Sequence, residues 1–190
     1  MRLRRCACIV VAFCWWAACA WAGGDDGFGD AVKIEGHYFT LYYKPGMDIN
    51  SLIGQLNISK TDEIMSRQSV DFSSPEKQLA SMLDVLFGRA CAVLDMHVYS
   101  FKGNIKIFAT QKDLAAFFDG LYHRDLPCTG LSFYLFDFNS IYITAENFRR
   151  EILGHEMGHA VMSNYFVVQP SVKIQEVLAG YVEYQLRKSK

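Results

Sequence analysis

The stretch over residues 152–183, ILGHEMGHAVMSNYFVVQPSVKIQEVLAGYVE, determines most of what this chain can be. Apolar residues flank the polar ones of its first half, which predicts a long buried helix over residues 145–166. Pro170 ends that helix, and a second helix is predicted over residues 171–188. The chain reversal at Pro170 should place the two helices side by side and antiparallel.

The first of these helices contains the sequence HEMGH at residues 155–159, an H-E-x-x-H motif. Residues four apart lie one turn apart on the same helix face, so the imidazoles of His155 and His159 can reach one cation. Zinc suits them because it binds imidazole nitrogen in tetrahedral sites and keeps one position open for water at catalytic centres. Glu156, about 100° further round the helix, can take a proton from that water. The motif therefore predicts one Zn²⁺ per chain, with Glu156 as general base.

A third protein ligand must come from outside this motif. The second helix offers Glu176, seventeen residues after His159, and antiparallel pairing would bring its carboxylate to the histidine pair. Glu183, seven residues further along, shares that helix face. It is either the alternative ligand or the acceptor that fixes the tautomer of a ligating histidine.

The residues upstream predict a small sheet with helices packed against it. The β-forming residues of 34–43 predict a strand, and apolar residues at 3-and-4 spacing predict a helix over 74–95. The other predicted elements are a short helix with a loop over 47–73, a strand over 104–109, a short helix over 110–118, and a hairpin over 131–136 and 140–144. This order predicts an α+β domain, in which a small mixed sheet precedes the H-E-x-x-H helix and the glutamate-bearing helix.

The N-terminus has the three parts of a secretory signal. Arginines at the start, apolar residues over 6–21 and a small-x-small sequence at 20–22 are typical of a cleaved leader. As a helix the apolar run would reach about 24 Å, short of the roughly 30 Å hydrocarbon core, which favours cleavage over a retained membrane anchor. We therefore expect a signal peptide over 1–22, a flexible lead-in over 23–33 and a single domain over 34–190. That domain would be periplasmic or secreted, without stable membrane insertion after cleavage.

The charge balance argues against a nucleic-acid partner. The chain has 19 Lys and Arg residues against 20 Asp and Glu, a net charge of −1. Removal of residues 1–22 takes away three arginines and no acids, which leaves 16 against 20 and a net charge of −4. A protein that binds nucleic acid by electrostatic attraction normally presents a basic face.

Two cysteines remain beyond the signal, Cys91 and Cys128. In an oxidising compartment they can form a disulfide, which typically adds about 2–4 kcal/mol of stability by restricting the unfolded chain. Alternatively Cys91, within the apolar run of residues 86–94, is a small buried hydrophobic side chain. The sequence favours neither reading.

These features together resemble the gluzincin metallopeptidases, and in particular the small peptidase MA-like proteins. The likeness is carried by the H-E-x-x-H motif at 155–159 and by E-x-x-A-x-Y-V-E at 176–183, and it extends more loosely over residues 34–188. It implies a minimal zincin fold with a peptide or protein substrate, whose backbone would lie along an edge strand at 131–136. It also implies zinc ligation by His155, His159 and Glu176, with Glu156 as general base.

The chain departs from the gluzincin pattern in two places. Family members often have a glycine after the third ligand and an acid four residues on, whereas these positions here are Val177 and Gly180. Larger gluzincins stabilise the oxyanion with a Tyr or His from a further C-terminal subdomain. Here that role would fall to Tyr181, with Tyr184 and Tyr165 as alternatives.

Two functions are compatible with this sequence. The first is a secreted or periplasmic zinc metallopeptidase that hydrolyses peptide bonds through Glu156 and a zinc-bound water. The alternative is a non-catalytic zinc-binding module of the same fold that binds a peptide or protein. The second becomes the better reading if no group is available to stabilise the oxyanion.

Overall fold

The computed structural model describes residues 28–122, 130 and 132–189. The strands are β1 (Val32–Glu35), β2 (Phe39–Tyr43), β3 (Gly103–Phe108), β4 (Ser132–Leu135) and β5 (Ser140–Thr144). The helices are α1 (Ile49–Leu56), α2 (Lys60–Ser66), α3 (Pro75–Leu94), α4 (Gln111–Tyr122), α5 (Arg150–Tyr165) and α6 (Val172–Lys188). The α+β class predicted from the sequence is confirmed.

The strands form one mixed sheet in the order β1-β2-β3-β5-β4. The inner strands β2, β3 and β5 are parallel, whereas β1 and β4 pair antiparallel with their neighbours. In the β4–β5 hairpin, Ser132 lies opposite Ile143 and Leu135 lies opposite Ser140. This topology leaves β4 at one edge of the sheet, next to α5.

The single strand predicted over residues 34–43 is wrong, because the chain forms the β1–β2 hairpin there. The backbone N–H of Gly36 donates to the carbonyl of Phe39 at 2.8 Å and closes the turn. The carboxylate of Asp84, on α3, accepts hydrogen bonds from the backbone N–H groups of His37 and Tyr38 at 2.9 and 2.8 Å. A side chain distant in sequence therefore holds the turn, which a local pattern of β-forming residues does not reveal.

Two further predictions need revision. Residues 47–73 contain two helices instead of one, because Ser59 and Asp62 form a reciprocal capping box that starts α2.

The H-E-x-x-H helix begins at Arg150 instead of residue 145, after a 3-10 turn over Ala145–Asn147. In that turn Asn147 Nδ2 donates to Thr144 Oγ1 at 2.9 Å, and α5 begins without a side-chain capping hydrogen bond. The end of α5 and both ends of α6 are as predicted, within a residue.

The N-terminal part of the domain starts earlier than residue 34. Phe28 is only 6% exposed and packs edge-on against Phe108, with 4.9 Å between the ring centroids. The predicted signal peptide over 1–22 lies outside the described residues and stays a prediction. Within the described part of the chain, no helix has both the length and the apolar character needed to cross a bilayer.

The main core lies between the sheet and the helices α3 and α5. Ile105 and Ile107 of β3 are fully buried on this face, as the alternation of side chains along a strand requires. On the other face of the same strand, Phe108 packs with Leu114 of α4. Apolar layers on both faces fix the sheet that supports β4 and β5.

Cys91 belongs to this core and is 5% exposed. Burial raises the pKa of its thiol to about 11, so the group stays protonated and unreactive at neutral pH. Cys128 lies outside the described residues, so the disulfide between the two cysteines stays a prediction.

A buried ionic cluster fixes the start of α5. Arg150, 2% exposed, donates from Nη2 to Asp62 Oδ1 at 3.1 Å and from Nη1 to the Asn57 carbonyl at 3.2 Å. Its Nη2 also donates to Ser189 Oγ at 2.9 Å, and Arg89 Nε lies 3.6 Å from the same Asp62 oxygen. Because breaking a buried ion pair typically costs about 3–5 kcal/mol, these contacts hold α2, α3, α5 and the end of α6 in one arrangement.

Close packing of α5 against α6 depends on two glycines of α5. A Cβ atom at Gly154 would lie 2.0 Å from Cδ1 of Leu186, and one at Gly158 would lie 3.2 Å from Cα of Ala179. Leu186 and Ala179 are fully buried, so neither contact leaves room for a larger side chain. Gly154, nearer the start of α5, contacts Leu186 near the end of α6, whereas Gly158 contacts Ala179 earlier in α6. The two helices are therefore antiparallel, as predicted.

We predict that Gly154→Ala lowers the free energy of unfolding by about 1–3 kcal/mol, because the added methyl group overpacks the contact with Leu186. Gly180→Ala is the matched control, since Gly180 is also helical and a Cβ there would meet nothing within 4 Å. The control should gain up to about 1 kcal/mol from helix propensity. Thermal unfolding measures both variants, and equal midpoints would contradict the close packing of the two helices.

Candidate metal centre

The two histidines of the H-E-x-x-H motif lie one turn apart on α5 and face the same space. His155 Nε2 and His159 Nε2 are 3.3 Å apart. Their neighbours Leu153 and Met157 are fully buried in the core, so packing fixes the rotation of α5 about its axis. The side chains of His155 and His159 remain 24% and 14% exposed, and both line a cavity.

Glu176 of α6 completes a cluster with these imidazoles. Its Oε2 lies 3.5 Å from His155 Nε2, and its Oε1 lies 3.5 Å from His159 Nε2. Zinc bonds of about 2.0–2.1 Å at tetrahedral angles put neighbouring donor atoms about 3.3–3.4 Å apart. The three residues form the one potential metal-binding group of His, Cys, Asp or Glu among the described residues. Their donor types and separations therefore fit a tetrahedral zinc site.

Burial prepares His159 for metal binding. It lowers the pKa of the imidazole below its usual value, and the adjacent His155 lowers it further. His159 is therefore neutral at pH 7, which is the form in which a ring nitrogen can bind a metal.

The α6 helix also supplies the residues behind the two imidazoles. Glu183 Oε2 lies 3.3 Å from His155 Nδ1, although that nitrogen is buried and the contact lacks the alignment of a hydrogen bond. Gln175 lines the same cavity as His159, and its Nε2 donates to the Pro170 carbonyl at 2.9 Å. Of the two roles predicted for Glu183, this position favours the outer partner of His155 over the alternative ligand. Gln175 was not predicted, since an isolated glutamine in a helix carries no sequence signal.

Glu156 lies beside the cluster and is only 6% exposed. Ser132 Oγ, on the edge strand β4, donates a hydrogen bond to Glu156 Oε1 at 2.7 Å. Burial raises the pKa of the Glu156 carboxyl above its usual value, and the hydrogen bond from Ser132 opposes that rise. A raised pKa moves a carboxylate towards the range in which it can both accept and return a proton near neutral pH. Ser132 was not identified from the sequence.

A cavity of about 390 Å³ opens over these groups. One wall is the edge strand β4 with the turn that follows it, and the other walls are α5 and the N-terminal part of α6. The described residues that line it are Ser132, Phe133, Tyr134, Phe136, His155, Glu156, His159, Ser163, Gln175 and Glu176. The edge strand, the cluster and Glu156 therefore share one cleft.

The structure does not bring the predicted oxyanion-stabilising tyrosines to this cleft. Tyr181, Tyr184 and Tyr165 are 47%, 57% and 50% exposed, and none is among the described residues that line the cavity. Tyr181 follows Glu176 by five residues, which turns it about 140° away on the helix. It stays a prediction without support from the geometry.

Tyr134 is the tyrosine that does line the cavity. Its hydroxyl donates to Asn139 Oδ1 at 2.8 Å and accepts from Asn164 Nδ2 at 3.4 Å. Burial raises the pKa of this hydroxyl to about 12, so it stays protonated. These bonds tie β4 both to the hairpin turn and to the C-terminal part of α5.

Known proteins offer no template for this site, since no protein-family model, curated protein or solved structure matches the chain. Function is therefore inferred from the residues and geometry of this chain.

We predict that Glu176→Ala lowers zinc affinity by more than the roughly 10- to 100-fold loss typical of an outer partner of a ligand. Glu183→Gln should fall within that smaller range, and Glu146→Ala, at an exposed acid of the turn before α5, should bind zinc as the wild type does. Competition with a zinc chelator gives the three affinities. A larger loss for Glu183→Gln than for Glu176→Ala would make Glu183 the ligand.

Proposed function

We propose that this chain is a zinc-dependent metallopeptidase of gluzincin-type fold that hydrolyses peptide bonds outside the cytoplasm. The observation that carries the proposal is the cluster of His155, His159 and Glu176, whose facing atoms are 3.3–3.5 Å apart. The buried carboxylate of Glu156 lies beside that cluster in the same cavity. A metal-binding group next to a buried carboxylate is the minimum that a zinc-dependent hydrolase requires.

The two imidazoles and the Glu176 carboxylate would hold the metal. Zinc bound there supplies a Lewis acid that activates water and polarises a carbonyl at neutral pH. The Glu176 side chain is 56% exposed, so the cluster is open to solvent and to a substrate on that side.

Glu156 is the residue that moves the proton. As a carboxylate it accepts a proton from the attacking water, and as a carboxylic acid it returns that proton to the leaving amine. Both roles need a pKa above that of an ordinary glutamate, and burial raises the pKa of Glu156 in that direction. General acid–base catalysis of this kind typically contributes about 10²- to 10⁴-fold in rate.

The position of β4 supports a peptide as the substrate. It is an edge strand of the sheet that the described residues form and lines the cavity beside Glu156, so an extended peptide could pair with its outer edge. Phe133 and Phe136 add apolar surface next to that edge. Main-chain pairing would place a peptide carbonyl near the cluster with little dependence on side-chain identity.

The proposed location rests on the N-terminal sequence. Residues 1–22 have the charged start, apolar middle and small-residue end of a secretory signal, which support export to the periplasm or beyond the cell. A zinc site made of two histidines and a carboxylate, without cysteine, is compatible with an oxidising compartment.

One observation favours a second candidate, a non-catalytic zinc-binding module that binds a peptide or protein in the same cleft. Tyr181, Tyr184 and Tyr165 lie away from the cavity, and the hydroxyl of Tyr134 is bonded to Asn139 and Asn164. Loss of one oxyanion donor typically costs about 10²- to 10³-fold in rate, so a chain without one would be a weak enzyme or none.

We predict that wild type and Glu156→Ala each bind about one zinc per chain, since Glu156 contributes no atom to the cluster. Only the wild type should cleave peptides, and the variant should lose about 10²- to 10⁴-fold in kcat because the proton acceptor is gone. Metal analysis measures the zinc content, and cleavage of a mixture of quenched fluorescent peptides measures the activity. Glu146→Ala is the matched control for both. Zinc in both proteins and hydrolysis in neither would support the binding module, and zinc in neither would contradict both candidates.

A further inference from the structure

Glu156 is a buried carboxylate that accepts a hydrogen bond from one side chain among the described residues. It is 6% exposed, and the donor is Ser132 Oγ at 2.7 Å from Oε1. Among the described residues Glu156 makes no ion pair with a lysine or arginine, although buried carboxylates are ordinarily paired in that way. The contact with Ser132 is therefore the main polar restraint on the carboxylate end of this side chain.

That contact distinguishes the two oxygens of the carboxylate. α5 fixes the backbone of Glu156, but the side chain still has rotatable bonds between Cα and the carboxylate. A hydrogen bond at Oε1 holds the end of the side chain, and a carboxylate oxygen such as Oε2 can accept a proton. Catalytic groups must be held within about 0.5 Å of the productive geometry, so such a restraint bears directly on rate.

Ser132 lies on strand β4, which is held by contacts with β5 and α5. β4 pairs with β5 along its length, from Ser132 opposite Ile143 to Leu135 opposite Ser140. Tyr134, two residues after Ser132 on β4, forms hydrogen bonds through its hydroxyl with Asn139 in the hairpin turn and with Asn164 on α5. The serine is thus positioned against α5 from both the sheet and the helix.

We infer that Ser132 is a positioning residue that orients Glu156 for proton transfer, an inference that rests on the proposed peptidase function. Because Ser132 lies on the strand whose outer edge would hold the peptide, this one strand would position both the substrate backbone and the general base. Ser132 is not a member of the cluster of His155, His159 and Glu176, and its hydroxyl donates to Glu156 instead, so its effect should fall on catalysis and not on zinc binding.

The test compares Ser132→Ala with Ser132→Thr in the zinc-loaded chain, with quenched fluorescent peptides that the wild type cleaves. Ser132→Ala removes the donor and should lower kcat about 10- to 100-fold, with KM and zinc content unchanged. Ser132→Thr keeps a hydroxyl at the same position on a strand and should restore most of the lost kcat.

Ser140→Ala is the matched control. Ser140 is 1% exposed in the neighbouring strand β5, and its hydroxyl donates to the Phe138 carbonyl at 2.7 Å, with no contact to Glu156. The substitution removes this bond and the one that Ser140 Oγ accepts from Asn104 Nδ2 at 3.1 Å, and it should leave kcat of the folded protein unchanged. A fall in kcat in Ser140→Ala equal to that in Ser132→Ala would assign the effect to general loosening of the sheet and overturn the inference.

A second measurement needs no activity. Ser132→Ala should lower the unfolding midpoint of the wild type, because a buried carboxylate loses its donor, and should have little effect in the Glu156→Ala background. Equal shifts in both backgrounds would overturn the inference, because the two side chains would not interact. Equal kcat in wild type and Ser132→Ala would also overturn it and leave the peptidase proposal standing. Absence of hydrolysis by the wild type would overturn both.

Discussion

The contact between α5 and α6 is the constraint on which the rest of this structure depends. Gly154 and Gly158 have no side chains, so Leu186 and Ala179 of α6 can approach the backbone of α5. The same antiparallel packing brings Glu176 within 3.5 Å of the imidazoles of His155 and His159. Gly154 and Gly158 therefore permit the close helix contact that brings Glu176 to the two histidines.

Other contacts hold this helix pair against the rest of the domain. The buried cluster around Asp62 and Arg150 joins the start of α5 to α2, and Ser189 at the end of α6 contacts the same arginine. At the opposite side of the cleft, Ser132 and Tyr134 connect β4 to α5. The cleft is thus a joint product of a sheet edge and two helices, each fixed by contacts between residues distant in sequence.

Local sequence pattern predicted the parts of the site that lie on one helix or follow from one chain reversal. The four-residue spacing of His155 and His159 sets them on one face, and Pro170 implied the antiparallel helix that carries Glu176. Ser132 escaped prediction because it is 24 residues from Glu156 on a different element, and a lone serine in a strand has no distinctive spacing. The same reason explains the missed β1–β2 turn, whose backbone N–H groups bond to Asp84, 46 and 47 residues away.

The proposed peptidase requires that one zinc ion binds where α5 and α6 meet. Anomalous scattering at the zinc absorption edge, recorded from crystals of the zinc-loaded protein, tests it most directly. We predict a single strong peak about 2.0–2.2 Å from Nε2 of His155, Nε2 of His159 and a carboxylate oxygen of Glu176. A peak coordinated by other residues, or helices so far apart that Glu176 is beyond bonding distance of that peak, would contradict it.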